Sequence, residues 1–151
     1  MTADSKPELL IFEHGDSKGI CSRRLLEGGR LALPSCLQAV AVHPGVLADL
    51  AEVEVNLVSD EVIAGVHDQF MGDATATDVI TFHHGEIFIS VDTAEREGGR
   101  FGHGIQKEAL LYLIHGLLHL NGHEDKDPDE REAMKKIQEG ILELVWGEMS
   151  S

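Results

Sequence analysis

The chain predicts an α+β fold: a single domain over residues 1–151, with a small mixed β-sheet of about four strands packed with helices, one of them buried and central. Three observations predict it. Four short stretches, beginning at Leu9, Val53, Thr77 and Glu86, are β-branched or alternate between apolar and polar residues. Apolar residues recur at helical spacing from Val62 to Phe70 and from Ala133 to Val145. Between them, Ile105 to Leu120 is apolar almost all the way round, as in a helix enclosed on every side. A length of 151 residues suits one core, and 42% apolar with 26% charged residues is a globular composition.

In chain order, Leu9 to Glu13 reads as a short strand, and Ser22 to about Val42 as a helix containing the poor helix formers Gly28, Gly29 and Pro34. Val53, Val55 and Leu57 alternate with Glu52, Glu54 and Asn56, the pattern of a half-buried strand. Ser59 or Asp60 caps a helix through Phe70, with Val62, Ile63, Val66 and Phe70 as its apolar stripe. Thr77 to Phe82 and Glu86 to Val91 form an antiparallel hairpin across His83-His84-Gly85. Gly98, Gly99, Gly102 and Gly104 predict a mobile loop over residues 93–104. After the Ile105–Leu120 helix, Asp127-Pro128-Asp129-Glu130 carries a cap, a proline at the first helical position and a capping-box acid, so a last helix begins there.

The central helix carries two histidines that need an explanation. His115 and His119 are four residues apart, hence about 40° apart around the axis, so their imidazoles lie one above the other and can share an ion. Neutral imidazoles suit zinc and other first-row divalent metals. Gly122 can adopt the left-handed conformation that ends a helix, doubling the chain back over the histidine face. His123, Glu124 and Asp125 then compete for the third position. Zinc proteases with HxxxH place a glutamate general base after the first histidine; Gly116 stands there instead, which excludes that mechanism.

The run His115-Gly-Leu-Leu-His119-Leu-Asn-Gly-His123-Glu-Asp125 resembles HGxLHLxGYDH, the signature of the YbeY family of rRNA-maturation endoribonucleases. In that family the first, second and last histidines hold zinc. Those positions fall on His115, His119 and Asp125, with His123 at the tyrosine position and one residue of slippage away from being the alternative third ligand. A His/His/Asp set leaves a fourth position open, as catalytic zinc sites do. The resemblance spans roughly Glu52 to Leu144: Thr77-Asp-Val-Ile-Thr-Phe82 and Gly85-Glu-Ile-Phe-Ile-Ser90 are similar to the family's TDVLSF and GDI(V/I)I strands, and Glu108 stands at the family's glutamate ahead of the histidine helix. One departure matters. Met71 occupies the place of an arginine, in the family's YRxKDxPTD run, that is thought to serve the nuclease reaction.

The resemblance implies a zinc-dependent single-strand endoribonuclease acting in small-subunit rRNA processing and ribosome quality control, with one Zn2+ per chain. It implies ribosomal RNA within pre-ribosomal particles as substrate, and a ribosomal protein or assembly GTPase as partner. The metal would lower the pKa of a bound water and polarise the scissile phosphate, while the group that activates the nucleophile stays unassigned. Asp78, in the strand that lines the family's cleft, is a carboxylate contacting substrate or supporting a ligand, or else a turn cap. Glu108, about two helical turns before His115, either orients a ligand or compensates the helix dipole.

Composition pulls against nuclease function. Twelve basic against 27 acidic side chains give a net charge of −15, where nucleic-acid enzymes usually present a basic face. Arg23, Arg24 and Arg30, with Arg96, Arg100 and Lys107, are the candidates for a local patch. The acidity and Met71 keep an alternative open: a non-catalytic, metal-stabilised ribosome-assembly factor. A metal-dependent hydrolase of a small molecule ranks third. His83 and His84 point to opposite sides of an extended segment, so at most one can face a metal; His14, His43, His67 and His103 lack partners at ligand spacing. Two cysteines without CxxC spacing, a polar start at Met1 to Glu8 and no apolar run long enough for a bilayer predict a reduced, cytoplasmic protein.

Overall fold

The computed structural model describes residues 7–149; residues 1–6, most of the polar start, lie outside the described residues. The elements are β1 (Glu8–Glu13), α1 (Ser22–Gln38), β2 (Glu52–Val58), α2 (Asp60–Met71), β3 (Val79–Phe82), β4 (Glu86–Ser90), α3 (Val91–Arg100), α4 (Gly104–Leu120) and α5 (Pro128–Met149). The fold is α+β, and its four strands form one mixed sheet in the order β1-β2-β4-β3. β1 and β4 flank β2 in parallel, and β3 returns antiparallel to β4 through the predicted hairpin, Thr81 opposite Ile87. β3 is therefore an edge strand, and its outer side borders the cleft described below.

Alternation sorts the sheet into two faces. Leu9, Val53, Val55, Leu57, Ile87 and Ile89 face a core completed by Leu110, Leu113, Ile114, Leu117 and Leu118 of α4, all buried. On the opposite face a smaller cluster forms from Val58, Ile63 and Ile80, with Val66, Phe82 and Phe88 against it. The all-round apolar character of α4 follows from its neighbours: α1, α3 and α5 pack against it on one side and β3 and β4 on the other. Each of its fully buried leucines is worth about 2–5 kcal/mol against truncation to alanine. At Gly116 a Cβ would lie 2.7 Å from Ile87 Cδ1, so α4 meets the sheet too closely for a side chain there.

Gly28 and Gly29 have the same explanation in α1: Cβ atoms would stand 2.9 Å from Leu110 Cδ1 and 2.8 Å from Leu113 Cδ2. Two boundaries differ from expectation. α1 stops at Gln38 rather than near Val42, because the Asn121 amide takes the Cys36 and Ala39 carbonyls at 2.9 and 3.1 Å and turns the chain away. The expected mobile loop over 93–104 is mostly the helix α3. Ser90 caps it by accepting from Thr93 N–H at 3.1 Å, Val91 and Ala94 are buried, and Arg96 pairs with Asp60 at 2.8 Å. Gly98 is a point of close approach, since a Cβ there would be 2.5 Å from the Gly104 carbonyl. Glycine here permits packing rather than motion.

Candidate metal centre

The site begins where α4 ends. Gly122 has φ +99°, and a Cβ on it would lie 2.2 Å from the His43 carbonyl, so both conformation and space require glycine. The His123 N–H closes back on the Leu118 carbonyl at 3.0 Å, a helix-terminating bend of the kind the sequence predicts. Asp125 is thereby swung under the histidine face. Its Oδ2 lies 3.5 Å from His115 Nε2 and 3.6 Å from His119 Nε2, and the two Nε2 atoms are 3.0 Å apart. One donor atom from each of the three residues falls within 4.8 Å of the others, so the group could hold a metal ion.

The outer hydrogen bonds decide what those nitrogens are. His115 Nδ1–H donates to Gln138 Oε1 at 2.7 Å, and His119 Nδ1–H donates to the His123 carbonyl at 2.9 Å. An oxygen of that kind only accepts, so in each neutral ring the proton sits on Nδ1 and Nε2 carries a bare lone pair. Two lone pairs then face one another across 3.0 Å beside a carboxylate. That arrangement is repulsive unless a cation lies between them. The three separations are close to the edge of a tetrahedron around an ion with bonds of about 2.0–2.1 Å, so the donor set fits zinc in chemistry and in size.

Titration reflects the same strain. Burial opposes charge on His115, but hydrogen bonds with Asp125 and Gln138 outweigh it and raise the imidazole above the ordinary histidine value. His119 is lowered, by burial first and by the neighbouring His115 second. The hydrogen bond with His115 holds the Asp125 carboxyl below the usual range, against its partial burial. One proton shared in the cluster partly relieves the clash, and a divalent ion would relieve it fully.

The cluster opens on a cavity of about 350 Å³ whose walls include Met71, Asp78, Thr81, His83 and Glu124. Asp78 thus stands in the cleft wall while its own Oδ1 accepts the Val79 N–H at 2.8 Å, so the capping contact does not remove it from the cleft. Thr81 Oγ1 is a buried hydroxyl without a hydrogen-bond partner, a polar atom left over in the cleft wall. His83 and His67 also line the cleft, whereas His84 turns to Glu86. The alternative third ligand is not in the cluster: the His123 ring is buried against the Ala39 carbonyl, Nε2 to O 3.2 Å, and only its backbone serves the site.

Of the two readings of Glu108, the structure favours the one near the start of α4: it is buried and pairs with His103 and Tyr112, away from the ligand cluster. The proposed basic patch does not border the cleft. Arg23, Arg24 and Arg30 line a separate groove on α1, while Arg96, Arg100 and Lys107 are engaged by Asp60, Glu97 and Glu143. No lysine or arginine is among the described residues lining the cavity. Gln138 is the site residue that the sequence argument missed. Its signal was a polar side chain in the stripe formed by Met134, Ile141, Leu142 and Val145, where the helix pattern otherwise asks for an apolar one.

Comparison with known proteins bears on this geometry. A family model described as Endoribonuclease YbeY matches residues 30–145. Proteins named Endoribonuclease YbeY from Pelotomaculum thermopropionicum and Thermotoga maritima are 34% and 37% identical to the chain over 107 and 113 residues, covering 61% and 68% of it and 70% and 75% of themselves. A solution structure of a Thermotoga maritima protein superposes with a TM-score of 0.62 at 32% identity, over 93% of this chain and 90% of that one.

Proposed function

The chain belongs to the YbeY family of endoribonucleases, and on that premise we propose that it is a zinc-dependent single-strand endoribonuclease acting in ribosomal RNA maturation, chiefly of the small subunit, and in ribosome quality control. Residues 1–151 would act as one catalytic domain in the cytoplasm. No helix among the described residues is long and apolar enough to cross a membrane, in keeping with that compartment. The observation that carries the proposal is the pair of imidazole Nε2 atoms 3.0 Å apart beside Asp125, each ring held from its Nδ1 side by an outer oxygen acceptor.

In this reading His115, His119 and Asp125 hold one zinc ion, which when bound supplies Lewis acidity toward a phosphoryl oxygen. Gln138 and the His123 carbonyl fix the two rings, so that the lone pairs need no reorganisation on binding. Asp78 lines the cleft, and its charge acts on His115, which supports a part in positioning substrate or ligand. A net charge of −15 opposes capture of free RNA, so the substrate would be rRNA presented inside a pre-ribosomal particle, with a ribosomal protein or assembly GTPase supplying attraction.

A second reading, a metal-stabilised assembly factor that cuts nothing, is favoured by one observation: the described cleft wall holds Met71, Asp78 and Glu124 but no lysine or arginine. The two separate on precursor rRNA. Nuclease-free wild-type protein should cleave it and His119→Ala should not; equal cleavage by both, or by neither, removes the enzyme reading.

A further inference from the structure

A nuclease cleft lined by no lysine or arginine has little beyond its metal ion to attract phosphates, so its strand needs a further hold. The exposed rings beside it supply a means. Phe70 is 60% exposed at the end of α2, next to Met71, which is 58% exposed and lines the cleft. Its ring meets Phe82 edge to face, centroids 5.0 Å apart at 67°, a contact that leaves Phe70 largely open to solvent. Phe82 stacks in turn on His84, centroids 5.7 Å apart at 16°, and Phe88 braces Phe82 from the side at 6.0 Å and 89°. The His84 side chain is 68% exposed, and its ring is pinned by Glu86 at 2.7 Å. A row of rings, packed at its centre and exposed at both ends, therefore runs from beside Met71, over the end of β3, to the turn that follows it.

We propose that Phe70 and the outer face of His84, spaced by Phe82, form a platform on which unpaired nucleobases of the RNA stack beside the metal cleft. This rests on the endoribonuclease reading and deepens it. Every base offers a π-face, so stacking is tolerant of sequence and is worth about 1–3 kcal/mol per base. Only an unpaired strand can splay its bases onto protein rings, so the platform selects single-stranded RNA over duplex. Stacking releases few counterions, which suits a surface whose charge is −15. Continuity with the cleft through Met71 sets the occupant: a strand whose phosphate reaches His115 and His119 has neighbouring bases to place. The preorganised rings lose little freedom on binding.

The test uses the zinc-loaded full chain and a fluorescent 2′-O-methyl oligoadenylate, checked on a gel to be intact after each measurement, with affinity read by anisotropy. Phe70→Ala and Phe70→Leu should each weaken binding about 10-fold, Phe70→Trp should retain it, and a strand with abasic sites should bind as poorly as the Leu variant. Affinity should change little with salt. Phe70 is exposed, so circular dichroism should show all three variants folded. Binding of Phe70→Leu equal to wild type, or equal binding of the abasic strand, overturns the platform, and would leave the enzyme standing if wild type cleaves precursor rRNA and His119→Ala does not. A wild-type protein that neither binds nor cleaves overturns both.

Discussion

Helix α4 carries a histidine and acid grouping at each end, and the two behave oppositely. Near its start, Glu108 is buried at 3% exposure and holds His103 and the Tyr112 hydroxyl in a closed set where each polar group has its partner. Near its end, His115 and His119 have their outer nitrogens satisfied by Gln138 and the His123 carbonyl, which leaves two inner lone pairs in opposition. A histidine near a carboxylate is therefore not what makes a metal site. The leftover lone pairs, with an open cleft before them, are.

The sharpest way to break this contrast is to remove one member from each end and count metal by mass spectrometry. Wild type and His103→Ala should each hold about one zinc ion per chain, whereas His119→Ala and Asp125→Ala should lose stoichiometric binding, and His123→Ala, whose backbone alone serves the site, should keep it. Next in size is the outer shell. Gln138→Leu should weaken zinc about 10- to 100-fold by competition with a chromophoric chelator, because the His115 ring loses the acceptor that fixes its tautomer. The closed end should answer in stability instead. Glu108→Ala strands the His103 and Tyr112 donors, and chemical denaturation should show a loss of about 1–3 kcal/mol with zinc affinity unchanged in the folded protein.

The smallest effect is on pH. Protons and zinc compete for the same nitrogens, and a raised pKa means that His115 takes its proton at a pH above the usual histidine value. Zinc affinity should therefore start to fall as pH drops through that higher value, by about tenfold per unit for a single displaced proton. Calorimetric titration between pH 8 and pH 5, on the order of the histidine range, checks it. A fall that begins only below the ordinary histidine range would put the coupling with Asp125 and Gln138 in doubt.

Much of this was legible in the sequence where local chemistry decides. The α4 periodicity, the Ser59 and Asp127 caps, the hairpin after Phe82 and the left-handed Gly122 each follow from a few neighbouring residues, and all appear as expected. The failures share a cause: they were settled by distant partners. Four glycines between Gly98 and Gly104 read as a loop, but burial of Val91 and Ala94 and the Asp60 contact to Arg96 make most of that stretch a helix. Asn121 ends α1 from 82 to 85 residues away. Gln138 reaches His115 across 23 residues, and three candidates for a basic patch, Arg96, Arg100 and Lys107, are tied to Asp60, Glu97 and Glu143. Spacing reveals which groups share a helix face, whereas pairing across the fold depends on the packed chain.

X-ray absorption at the zinc edge tests the central claim most directly. The predicted spectrum has two imidazole nitrogens and carboxylate oxygen at about 2.0–2.1 Å, with no sulfur contribution, and it loses an imidazole in His115→Ala. A spectrum with three imidazoles, or with sulfur at about 2.3 Å, would contradict the His115, His119 and Asp125 centre.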